Sequence, residues 1–78
     1  MEVEYLLSKR EVEVLELISQ GCTNKEIEQA LKIKDATVHT HLGNIYSKLE
    51  LDEDYSAYSV KRLRAALWFL KNREKLNK

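Results

Sequence analysis

Two capping boxes set the scale of everything this chain can build. In Ser8-Lys9-Arg10-Glu11 the serine hydroxyl is placed to accept from the Glu11 N–H, and the Glu11 carboxylate to reach back to the Ser8 N–H. Thr23-Asn24-Lys25-Glu26 repeats the pattern. Each box opens a helix, so the first helix must stop before Thr23. Gly21 is placed to stop it, because glycine accepts the left-handed backbone that ends helices. Leu7 before the first cap and Val12 at the fourth helical position fit a hydrophobic staple. A helix is therefore expected over residues 9–20, with Val12, Leu15 and Ile18 inward and Val14 and Leu17 at the stripe's edge.

The second box opens a short helix over 24–31, with Ile27, Ala30 and Leu31 on one side. Lys32-Ile33-Lys34 reads as a tight turn with Ile33 plugging the core. A third helix begins near Asp35 or Ala36 and ends near Leu49, since Val38, Leu42, Ile45 and Leu49 recur at the i, i+4, i+7, i+11 helical spacing. Asp52-Glu53-Asp54 reads as an acidic turn. A fourth helix is expected over 56–72, with Val60, Leu63, Leu67 and Leu70 inward and residues 73–78 frayed. Proline is absent and glycine occurs only at 21 and 43, which argues against a turn-rich β fold. The expectation is one all-α, four-helix domain over residues 1–78.

A chain of 78 residues makes a single small core that stabilises only weakly, so helix pairing or dimerisation is expected to contribute. The lone Cys22 forms no internal bridge, and no apolar run is long enough to span a bilayer. A soluble, cytoplasmic protein is expected. Net charge is zero, but its distribution is not even: residues 1–31 carry a net −4, and residues 32–48 and 49–78 carry +2 each. For nucleic-acid binding, distribution matters more than the sum.

A short helix, a tight turn and a longer helix form the helix-turn-helix plan, in which the second helix enters the major groove and the first crosses the backbone. Three segments carry a more specific signal. Leu7-Ser8-Lys9-Arg10-Glu11-Val12-Glu13-Val14-Leu15 resembles the opening of the LuxR/GerE-type DNA-binding domain. Gly21-Cys22-Thr23-Asn24-Lys25-Glu26-Ile27 is similar to that family's second-helix motif, and Thr37 through Leu49 to its recognition helix. The resemblance covers residues 6–51 without gaps. It implies a four-helix domain that binds DNA as a homodimer and regulates bacterial transcription, with the fourth helix pairing the subunits. With Met1 as its start, the chain resembles the stand-alone members, which lack a sensor domain. Four features depart from the family pattern: Ala36 and His39 stand where basic residues are usual, Gly43 stands where a larger side chain is common, Lys34 replaces a serine cap and leaves Asp35 to cap, and Glu50 replaces a stop glycine.

Projected at 100° per residue, the third helix separates into zones. Ala36, His39, Thr40 and Gly43 lie outward, where base edges are read. Thr37, His41, Asn44 and Lys48 line a flank suited to phosphates, joined by Thr23, Asn24 and Lys25 at the start of the second helix. A small outward surface brings Ala36 and Thr40 close to thymine methyls but supplies little charge. Weak, salt-sensitive binding by the monomer follows, with dimerisation required for useful occupancy. His39 is the better base reader of the two histidines, and its protonation below neutral pH strengthens binding. His39 and His41 splay about 200° apart and cannot share a metal.

Val60, Leu63, Leu67, Trp68 and Leu70 are the expected dimer interface, with Phe69 and Tyr58 widening the stripe and Lys61, Arg62, Arg64, Lys71 and Arg73 around it as mostly solvent-facing charges. No catalytic residues, metal site or cofactor are expected, because there is no nucleophile–base pair, ligand cluster or phosphate loop. Three functions are open: a sequence-specific regulator on double-stranded DNA, a small antagonist that pairs with a related regulator through its last helix, and a sigma-like domain that also contacts RNA polymerase.

Overall fold

A computed structural model of the chain describes residues 7–51 and 58–76. Their order is α1 (Lys9–Ser19), α2 (Asn24–Leu31), α3 (Asp35–Lys48) and α4 (Tyr58–Leu76). The described residues form helices and the turns between them, with no strand. The acidic turn at 52–54 and the expected helix start at Ser56 lie outside the described residues.

Both capping boxes form in full. Ser8 Oγ accepts from Glu11 N at 3.1 Å, while Ser8 N donates to Glu11 Oε1 at 2.9 Å. Thr23 Oγ1 and Glu26 Oε1 make the same exchange at 3.2 and 2.8 Å. At the end of α1, Gly21 takes φ +85°. Cys22 N then donates to Leu17 O at 3.1 Å and Gly21 N to Ile18 O at 2.9 Å, the paired bonds of a Schellman stop.

The same stop recurs without glycine. Glu50 adopts φ 62°, with Leu51 N donating to Tyr46 O at 2.7 Å and Glu50 N to Ser47 O at 3.0 Å. Lys32 also takes a left-handed backbone, at φ 56°, but there its own N–H and that of Ile33, at 3.1 Å, both donate to Glu28 O. A side chain in this region costs about 1–2 kcal/mol. The start of α3 corrects one expectation: Lys34 holds the N-cap position with no side-chain cap bond, and Asp35 is already inside the helix.

α3 packs on α1, α2 and α4, and α1 lies most extensively against α4. The core comprises Leu7, Val14, Leu15, Ile18, Ile27, Val38, Leu42, Ile45, Tyr46, Ala65 and Phe69. Val12, Leu17, Leu31, Ile33 and Leu49 pack at its margin, so Ile33 does join the core from the turn. Ala30 is exposed and does not share the buried side of α2.

The largest correction concerns α4. Leu63, Leu67 and Leu70, expected inward, are 58%, 52% and 45% exposed. Ala65 and Phe69 are buried in their place, and Val60 is half-buried. Phe69 is thus a core residue. α4 also runs on to Leu76, past the point at 73 where fraying was expected.

Candidate nucleic-acid interface

α3 owes its orientation to its buried face. Val38, Leu42, Ile45 and Tyr46 are sealed in the core, which turns Ala36, His39, Thr40 and Gly43 outward; all four are exposed. The Thr40 hydroxyl donates back to Ala36 O at 3.0 Å, leaving its oxygen lone pairs and methyl on the surface. The Asp35 carboxylate lies 3.4 Å from His39 Nε2, both side chains being more than half exposed. Nothing stands within 4 Å of where a Cβ on Gly43 would project, so this position is open rather than sterically required to be glycine.

On the flank, Asn44 and Lys48 are exposed, and Thr37 and His41 are half-buried. At the head of α2, Thr23 and Lys25 are exposed and Asn24 is half-buried. The Thr23 hydroxyl is engaged in its cap, as Glu26 N donates to it.

Two contacts here were not read from the sequence. Lys48 Nζ lies 2.7 Å from Glu11 Oε1, and the Glu11 side chain is almost wholly buried. One carboxylate therefore caps α1 and holds the last turn of α3. Burial is the largest influence on the Glu11 carboxyl and pushes its pKa up. The Lys48 hydrogen bond, the Ser8 N–H and the Lys48 and His41 charges together outweigh it, so the net shift is downward. Arg62, expected to be a solvent-facing charge, is instead half-buried. It donates to Asn24 Oδ1 and to the Cys22 carbonyl, each at 2.6 Å. A glutamate in a capping box signals its local role only, so nothing in the sequence marks its partner on α3.

Leu67, Leu70 and Trp68, with Arg64 and Lys71, line an open apolar groove on α4. Trp68 is half-buried and packs its remaining surface against the core. The Tyr58 side chain lies outside the described residues. Among the described residues no His, Cys, Asp and Glu group is arranged to hold a metal, and no helix is long and apolar enough to cross a membrane.

This helix-turn-helix geometry agrees with a family match. Residues 5–60 match the model described as "Bacterial regulatory proteins, luxR family". The chain belongs to the luxR family. It is 53% identical over 47 residues to the transcriptional regulatory protein LiaR of Bacillus subtilis (strain 168), covering 60% of this chain and 22% of LiaR. It is 46% identical over 52 residues to the response regulator protein VraR of Staphylococcus aureus (strain Mu3 / ATCC 700698), covering 67% of this chain and 25% of VraR. The VraR of Staphylococcus epidermidis matches at the same identity and coverage. These matches span about a quarter of each relative or less. No solved structure matches the chain. The luxR-family domain is a DNA-binding helix-turn-helix of transcription regulators, and it is not an enzyme family.

Proposed function

We propose that this luxR-family chain is a sequence-specific transcriptional regulator that binds double-stranded DNA in the cytoplasm as a homodimer. In this reading α3 enters the major groove. Ala36, His39, Thr40 and Gly43 meet base edges, while Thr23, Asn24, Lys25, Thr37, His41, Asn44 and Lys48 meet the backbone. The observation that carries it is the division of α3 into a sealed core face and an exposed face of short side chains. Short side chains let the helix axis approach the groove floor, where a thymine methyl can meet Ala36 or the Thr40 methyl.

α4 pairs the subunits through Val60, Leu63, Leu67, Trp68 and Leu70. The exposure of three leucines on one helix supports this, because a stripe of that kind is stabilised by covering it. A two-fold dimer then addresses half-sites about one helical turn apart.

Fluorescence anisotropy tests this reading, with the purified protein titrated against a selected oligonucleotide and a random-sequence pool across a salt series. Steep loss of affinity with salt, together with discrimination between the two DNAs, is the expected result. A folded dimer that binds neither DNA would overturn it and point to pairing with another regulator instead.

A further inference from the structure

Arg62 differs from the cations around it. It lies on the α4 face that carries Ala65 and Phe69, one turn from Ala65 and two from Phe69. Its two terminal nitrogens reach separate acceptors. Nη1 is 2.6 Å from Asn24 Oδ1, and Nη2 is 2.6 Å from the Cys22 carbonyl. These contacts join α4 to the turn after α1 and to the first residue of α2, across 40 and 38 residues of sequence.

The chemistry of the pair fixes an orientation. A guanidinium only donates, so it must face the oxygen of the Asn24 amide. The amide NH2 is then turned to the other side of the group. Asn24 is the first residue of α2, flanked by Thr23 and Lys25. A cation at this end of a helix meets the positive pole of the helix dipole, which is unfavourable. Two charge-assisted hydrogen bonds hold it there against that repulsion.

We propose that Arg62 is a positioning residue for DNA binding: it fixes the turn at Cys22–Asn24 and orients the Asn24 amide so that its NH2 donates to a backbone phosphate. The proposal rests on the DNA-binding reading above. It makes the grip of α2 on the backbone depend on α4, the helix assigned to subunit pairing.

A double-mutant cycle on the full chain tests it, comparing wild type, Arg62→Gln, Asn24→Ala and the double variant. Binding to a selected oligonucleotide and to random-sequence duplex is measured by anisotropy, well below each variant's melting temperature by circular dichroism. Arg62→Gln is expected to weaken both DNAs by the same factor, roughly five- to tenfold, leaving their ratio unchanged. Asn24→Ala is expected to do the same, and the double variant to bind no more weakly than either single one. If Arg62→Gln does not fold, Arg62→Lys replaces it in the cycle, since it keeps the charge but loses the two-pronged fork.

Wild-type affinity in the Arg62 variant, or losses that add in the double variant, would overturn the positioning role while leaving the DNA-binding reading in place. A change in the ratio between the two DNAs would also overturn it. If wild type binds neither DNA, both the reading and this inference fall.

Discussion

Glu11 links two parts of the domain through one carboxylate. It closes the first capping box and takes the Lys48 ammonium, so the entry to α1 and the exit from α3 share an anchor. Its lowered pKa makes stability depend on pH with a definite sign. The contribution is full above the ordinary glutamate range and is lost as pH falls through the lowered folded value. Thermal unfolding followed from roughly pH 7 to pH 3 should show this loss, and Glu11→Gln should flatten it. At neutral pH the same substitution should destabilise the fold by about 1–3 kcal/mol. It also releases Lys48. If Lys48 faces a phosphate, Lys48→Gln should flatten the salt dependence of DNA binding by about one unit of slope. An unchanged slope would show that Lys48 makes no backbone contact.

At the scale of the element, α4 carries two overlapping stripes at helical spacing. Leu63, Leu67 and Leu70 form the more hydrophobic one, while Arg62, Ala65 and Phe69 form the one that is turned inward. Alanine substitutions separate them. Phe69→Ala should cost about 3–5 kcal/mol, enough to unfold much of so small a domain. Leu70→Ala should leave the monomer's denaturation midpoint within about 0.5 kcal/mol of wild type, as exposed positions do. Equal losses would mean that α4 is rotated from the position described. α3 has a separate liability at its end, where Glu50 holds a left-handed backbone. Glu50→Gly should raise stability by about 1 kcal/mol, because glycine takes this conformation without the Cβ clash. A thermal midpoint that does not rise would show that the Glu50 side chain compensates for its strain.

At the scale of the whole molecule, the zero net charge and weakly basic α3 face leave little electrostatic affinity for one subunit. In the proposed homodimer, linkage makes binding of the second half-site an intramolecular event, which raises occupancy without new contacts. Leu67→Glu places a charge in the proposed pairing stripe and should yield a folded monomer by sedimentation equilibrium. Its affinity for a two-half-site oligonucleotide should fall at least tenfold, with affinity for a single half-site little changed. Specific binding by a verified monomer at physiological salt would contradict this account.

The sequence by itself determined the elements. Each capping box contains both of its partners within four residues, and Gly21 ends α1 through its own backbone freedom, so these signals needed no tertiary context. The orientation of α3 was legible for a related reason: Val38, Leu42 and Ile45 form a single apolar stripe, and burying it turns Ala36, His39, Thr40 and Gly43 outward. Only the tertiary structure decided what depends on a partner elsewhere. On α4 two stripes compete, and hydrophobicity favours the wrong one. Ala65 and Phe69 are buried and the three leucines are not, and fit within a close-packed interior is not encoded in a count of leucines. Glu11 with Lys48, and Arg62 with Asn24 and the Cys22 carbonyl, are pairings between distant positions. Such pairs leave no periodicity in the chain, and they exist only once the helices have packed.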